Sequence, residues 1–205
     1  MNQNFYELSS EKQRKIINAG YKVFAMYPYK NAPMSAIAEE ANISKSLLFY
    51  HFTNKKEYYL FLFSHAVSNA REESKKIYLD EESDFFVLMD LVINHRVQMM
   101  NQYPYMYKFL ARAYYEPIDI VRQELFEIKS EIIQIGKEEA LSKIDRQKFN
   151  HPEDADAFFD IVLRIADSYM YSNIDIAFTN TKKIVHDFQC LMESLKKNYY
   201  KEQYL

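Results

Sequence analysis

The stretch from Met34 to Phe52 constrains this chain more than any other, because it reads as two short helices around a tight turn. Ile37, Ala38 and Ala41 fall at i, i+1 and i+4 and give a first helix one apolar face. Asn42 is the stop signal: after glycine, asparagine best tolerates the left-handed backbone that ends a helix. Ile43 plugs the turn, and Ser44 is placed to cap the next helix by accepting from one of its orphan N–H groups. From Lys45 a second helix is expected to put Leu48, Phe49 and Phe52 on one side, and Ser46, Leu47, Tyr50 and His51 on the other. The first set should pack inward. The second holds a leucine and a tyrosine that nothing in the motif buries, so this face is expected to meet a partner. In a helix-turn-helix such a segment is the recognition helix, whose N-terminal residues touch base edges. An ordinary helical hairpin explains the period alone, but not the turn chemistry and flanking residues as well.

The flanks extend the helical pattern. A helix over Ser10–Tyr27, with Ser10 and Gln13 as a capping box, carries Ile16, Gly20, Val23, Phe24 and Tyr27 as its buried stripe. After a loop at Tyr27–Ala32, Pro33 suits the first turn of the next helix. Asn54 with Glu57 forms a second capping box and starts a long helix reaching about Tyr78, apolar on more than one side. Five more helices are predicted, over Asp84–Gln102, Pro104–Tyr115, Asp119–Lys143, Glu153–Asn173 and Thr181–Lys201. Pro104, Pro117 and Pro152 fall at breaks between them. No strand-like alternation or internal repeat is present, so the fold class is all-α.

The chain has 205 residues, enough for one large or two small domains, and its two glycines and 16% aromatics suit a helical globule. Net charge is −3, but residues 1–56 carry eight Lys/Arg against four Asp/Glu, 8 − 4 = +4, leaving −7 for the rest. A basic head on an acidic body is the asymmetry expected if only the head approaches phosphates. Enzyme motifs are missing. Two glycines cannot build a phosphate-cradling loop, and none of the five histidines forms a His-x-x-x-His or Glu-x-x-His pair. No enzymatic activity, cofactor or metal is expected. The lone Cys190 excludes a disulfide framework and reads as a buried apolar residue. Without a basic segment leading into an apolar run, and with no run long enough to cross a bilayer, the protein is expected to be cytoplasmic, away from the membrane.

Residues from about Ile16 to Phe63 resemble the DNA-binding domain of the TetR family of bacterial transcriptional regulators. Ile37-Ala38, Ala41, Ser44, Leu48, Phe52, Lys55 and Glu57 stand where that pattern expects them, and Leu48-Phe49-Tyr50-His51-Phe52 is its most recognisable segment. Asn42 replaces the usual glycine. Phe49 replaces a usual tyrosine and lacks a hydroxyl to reach a phosphate. The resemblance implies a three-helix head, residues 1–53, joined by a long helix to a helical ligand-sensing and dimerisation domain, residues 54–205. It further implies a repressor that binds a palindromic operator as a homodimer and is released by a small-molecule effector. The last two helices would then pair with their counterparts, and Phe158, Ile161, Ile165, Tyr169, Phe188, Leu191 and Leu195 are the interface candidates.

On double-stranded DNA the head's residues divide by reach. Ser46, Leu47 and Tyr50 are candidates for base edges or thymine methyls, while Ser35, Ser44, Lys45, His51 and Lys55 are better placed for phosphates, and Tyr50 can serve either role. In the body, tyrosines offer an apolar wall with polar handles and methionines adapt to irregular shapes. Phe61, His65, Met89, His95, Met99, Tyr103, Tyr107, Tyr114 and Phe126 are therefore the pocket candidates, although each is individually as well explained by core packing. The rival reading is a helical small-molecule carrier or adaptor whose helix-turn-helix does not read DNA.

Overall fold

In the first helix the expected stripe of Ile16, Gly20, Val23 and Phe24 is buried, while Tyr27, expected to join it, is exposed. The computed structural model describes residues 3–76, 82–115, 119–172, 178 and 180–205, and their side chains apart from those of 3, 167 and 169–172. Its helices are α1 (Ser10–Met26), α2 (Met34–Glu40), α3 (Lys45–His51), α4 (Lys55–Lys75), α5 (Phe85–Gln102), α6 (Pro104–Tyr115), α7 (Arg122–Lys143), α8 (Ala155–Ser172) and α9 (Thr181–Tyr199). Among the described residues no strand forms, and the fold is all-α; a single isolated bridge pairs Phe149 with Tyr200.

Local chemistry sets most boundaries. Proline opens α6 at the residue expected. Helix α5 begins one residue late because Asp84 is its cap, accepting from the N–H groups of Phe86 at 3.0 Å and Val87 at 3.3 Å. Pro152–Asp154 forms a short 3-10 turn, which delays α8 to Ala155. Asn54 caps α4 through the Glu57 N–H at 2.9 Å. The capping box at Ser10 is not made. Gln13 instead turns back, its amide donating to the carbonyls of Leu8 at 2.8 Å and Tyr6 at 3.2 Å. The expected ends at Tyr78 and Asn173, and Pro117, lie outside the described residues.

The chain divides into two compact units, Met1–Ala70 with Tyr103–Lys129, and Arg71–Gln102 with Ser130–Leu205. These are cut elsewhere than at residue 53, and aromatic packing is the reason. In the first unit Phe24 of α1 meets Tyr59 of α4 at 4.8 Å, and Phe109 of α6 meets Tyr59 at 5.1 Å and Tyr21 at 5.5 Å. Helices α4 and α6 therefore complete the core on which the N-terminal helices rest. Full burial of each such ring stabilises by roughly 1.5–3 kcal/mol, which three short helices could not gather alone. Lys56 of α4 and Glu124 of α7 close this unit at 2.5 Å on its surface.

The second unit is built around Phe85, Phe86, Phe149, Phe158 and Tyr200, with Leu88, Met89, Val162 and Met192 filling between them. Phe158 is only 1% exposed and packs on Phe85 at 5.3 Å and Tyr199 at 4.5 Å. It belongs to this core and is removed from the interface candidates. Ile161, one helical turn on, is 43% exposed, while Phe188, Leu191 and Leu195 are partly buried against the cluster. Ile165 is also partly buried, and the side chain of Tyr169 lies outside those described. Cys190 is exposed, with its sulfur 3.7 Å from His186 Nε2, so the buried placement expected for it is wrong. On α9 the inward stripe is carried by Ile184 and Met192, and position 190 falls off it.

A candidate nucleic-acid interface

The turn between α2 and α3 is closed by the bonds that its residues predict. Asn42 takes the left-handed conformation at φ 54°. Its N–H donates to Glu39 O at 3.0 Å, and the Ile43 N–H to Ala38 O at 2.9 Å, which satisfies two orphan carbonyls of α2. Ser44 Oγ then accepts from the Leu47 N–H at 3.0 Å and starts α3. Both helix ends are thereby fixed within three residues, and the orientation of α3 follows.

Helix α3 is anchored from beneath by Leu48 and Phe52, both fully buried. The Phe52 ring lies 4.7 Å from Tyr58 and 5.1 Å from both Phe61 and Phe5. Outward stand Ser44, Lys45, Ser46, Leu47 and Tyr50, the last 54% exposed. Ser35, at the start of α2, is exposed as well. Lys55 is half-buried, donating to Lys30 O at 3.3 Å with its ammonium 4.9 Å from the Tyr29 ring. Burial pushes its pKa down.

His51 and Phe49 have exchanged the sides expected of them. His51 is only 2% exposed and Phe49 is exposed, with Lys45 Nζ 5.8 Å from its ring. His51 is therefore withdrawn as a phosphate contact. At about 100° per residue, His51 lies about 60° from Leu48 around the helix and Phe49 about 100°, so the buried side falls over 48, 51 and 52. Helical angle rather than polarity thus decides which of the two side chains faces inward.

What covers His51 is a segment that sequence reasoning passed over. Gln3–Phe5 forms a 3-10 turn ahead of α1, and Phe5 is buried against His51 at 5.8 Å and Phe61 at 5.2 Å. Beside it the Asn4 side-chain amide donates to the Tyr50 hydroxyl at 2.5 Å. An aromatic residue ahead of the first helix was the available signal. Neither ring nitrogen of His51 has a hydrogen-bond partner, and burial lowers its pKa.

A group held neutral in the fold takes up its proton later than in the unfolded chain, where histidine titrates near 6.5. The contribution of His51 is thus present above about pH 6.5 and is lost as pH falls from there toward its lowered folded pKa. Thermal unfolding at pH 7.5 and 5.5 should show the native chain losing more stability than His51→Phe over this interval. Equal losses would contradict the buried, neutral assignment.

The pocket candidates are not gathered in one unit. Met89, His95 and Met99 lie in the second unit, the other six in the first. Of those six, Phe61 and His65 are packing residues of α4 within the first unit: His65 Nδ1 is 2.7 Å from the Tyr21 hydroxyl, and the ring is 6.0 Å from Phe61. Tyr107 and Tyr114 are half-buried, with Tyr114 against Phe63 at 5.5 Å. Tyr103 is exposed and Phe126 is 67% exposed. Among the described residues no group of His, Cys, Asp and Glu could hold a metal ion, and no helix is long and apolar enough to cross a membrane.

Residues 16–60 match the family described as Bacterial regulatory proteins, tetR family. No curated protein matches the chain in sequence. Solved structures do match in fold. A TetR family transcriptional regulator from Chloroflexus aurantiacus J-10-FL aligns at a TM-score of 0.70 and 15% identity, covering 98% of this chain and 99% of its own. A tetR family transcription regulator from Shewanella sp. PV-4 aligns at 0.60 and 13%, over 95% and 100%. FadR from Bacillus subtilis, solved in complex with stearoyl-CoA, aligns at 0.61 and 17%, over 90% and 95%. Residues 16–60 are thus similar in sequence to the tetR family of bacterial regulatory proteins, and nearly the whole chain shares the fold of solved TetR family transcriptional regulators.

Proposed function

We propose that this chain is a non-enzymatic transcriptional repressor that binds a palindromic operator as a homodimer and is released by a small-molecule effector. One observation carries the DNA-binding part: a seven-residue helix, fixed at both ends and bolted down through Leu48 and Phe52, holds Ser46, Leu47 and Tyr50 outward. Ser46 and Leu47 stand exposed beside Tyr50, whose hydroxyl accepts from Asn4 while the ring still projects outward. Ser46, Leu47 and Tyr50 address base edges, and Ser35, Ser44, Lys45 and Lys55 address phosphates.

Residues 1–53 then serve as the DNA-binding segment and residues 54–205 as the sensing and dimerisation segment. A single recognition helix spans too few base pairs for a useful specificity ratio, which favours a symmetric pair on an inverted repeat. The exposed Ile161, with Ile165, Phe188, Leu191 and Leu195 only partly covered, supports α8 and α9 as the pairing surface. For the effector, support comes from the FadR structure, whose fold is similar and which holds stearoyl-CoA. A coupling of about 1–3 kcal/mol between effector and operator is enough for release.

Selection from random duplexes tests the reading. The full-length protein should enrich an inverted repeat whose half-site centres lie about 34 Å, or a small multiple of that, apart. A carrier or adaptor would enrich none.

A further inference from the structure

The recognition helix is touched by a side chain from outside the helix-turn-helix. Asn4 sits on the turn ahead of α1, and its amide donates to the Tyr50 hydroxyl at 2.5 Å, across 46 residues of sequence. Asn4 is held there by its neighbours. Phe5, next in the chain, is 1% exposed and wedged among Phe52, Phe61 and His51. Behind it, the Gln13 amide grips the carbonyls of Tyr6 and Leu8. The backbone carrying Asn4 is thus fixed by a buried ring on one side and two hydrogen bonds on the other.

Tyr50 needs such support. A tyrosine that projects into solvent from a short helix rotates about χ1 and χ2, and binding must then immobilise it at a cost in affinity. Here the ring is held from two directions: His51 meets it edge-on at 5.3 Å, and Asn4 ties its hydroxyl. A contact group fixed before the partner arrives binds more tightly and discriminates better than one ordered on arrival.

We propose that Asn4 is a positioning residue for DNA recognition: the N-terminal turn acts as a clasp that pre-sets the Tyr50 phenol in the orientation it uses on the operator. The inference rests on the DNA-binding reading above and adds to it a residue outside the helix-turn-helix. Loss of the clasp should weaken binding through Tyr50 and through nothing else.

A double-mutant cycle isolates that dependence. The probe is a fluorescein-labelled duplex carrying the repeat enriched by the full-length protein. Asn4→Ala should raise Kd roughly three- to tenfold when Tyr50 is present, the size of one net hydrogen bond. In a Tyr50→Phe background the same change should raise it less than about twofold. In the free protein, NMR of ring-labelled tyrosine should show the Tyr50 signal, assigned by its loss in Tyr50→Phe, shifting and narrowing in Asn4→Ala. Equal losses in both backgrounds would overturn the proposal, because Asn4 would then act on DNA directly. An unchanged Kd, or an unchanged Tyr50 signal, would overturn it too. If Tyr50→Ala binds as the native chain does, or no repeat is enriched, the DNA-binding reading itself fails, an outcome distinct from the others.

Discussion

Gly20→Ala is expected to destabilise the protein by about 2–4 kcal/mol, although glycine to alanine inside a helix normally stabilises by about 1 kcal/mol. The sign is decided by Tyr58. A Cβ at position 20 would stand 2.3 Å from the Tyr58 hydroxyl oxygen, 2.8 Å from its Cζ and 2.4 Å from Leu62 Cδ1. Tyr58 is fully buried, and its hydroxyl donates to Ile16 O at 2.5 Å. It cannot retreat without giving up that bond inside the core, where an unpaired polar group costs about 1–3 kcal/mol. Gly136 is the internal control. Nothing lies within 4 Å of a Cβ built there, so Gly136→Ala should stabilise by about 0.5–1 kcal/mol. Urea unfolding of the two variants should move the midpoint in opposite directions, and movement in the same direction would contradict the close approach of α1 to α4.

Asp84→Ala is expected to cost about 2–4 kcal/mol, because one carboxylate ties three parts of the second unit together. It caps α5, accepts from Lys148 Nζ at 3.1 Å, and lies 3.7 Å from Lys196 Nζ. The Tyr200 hydroxyl reaches it at 3.4 Å and also accepts from the Phe85 N–H at 3.0 Å. Burial pushes the Asp84 pKa up. The Lys148 hydrogen bond, the Val87 N–H and the charges of Lys196 and Lys148 outweigh it and hold the group below the usual carboxylate range. The unfolded chain therefore binds the proton first as pH falls. The stabilisation is complete above about pH 4, where free aspartate is ionised, and is lost as pH falls through the lowered folded value. Acid unfolding of Asp84→Asn should lack this component. An acid limb identical to that of the native chain would show that the carboxylate is not held as described.

Local signals in the sequence were dependable here. Ser44, Asn54 and Asn42 each act on backbone groups within four residues, and the structure shows all three doing what their chemistry allows. The buried face of α1 was legible at Ile16, Gly20, Val23 and Phe24, whereas Tyr27, read into the same stripe, lies past the helix end and is exposed. What could not be read was tertiary choice. Phe158 and Phe126 are both phenylalanines on helices, yet one is sealed into a core and the other projects outward, and only the neighbours decide. The same holds for His51, whose side of α3 is covered by a turn more than forty residues earlier in the chain. Gln13 had two uses for its amide, and the carbonyls behind it prevailed over the cap.

A titration at two salt concentrations tests most directly whether the outward face of α3 meets a duplex. With the enriched repeat as probe, Tyr50→Ala and Lys45→Ala should each weaken binding about tenfold, which is about 1.4 kcal/mol in all or roughly 0.7 kcal/mol in each half-site, while both variants stay folded. For Lys45→Ala the dependence of log K on log salt should also flatten by about 0.9 for each phosphate contact removed. If both variants bind with native affinity and an unchanged salt slope, this face does not bind DNA.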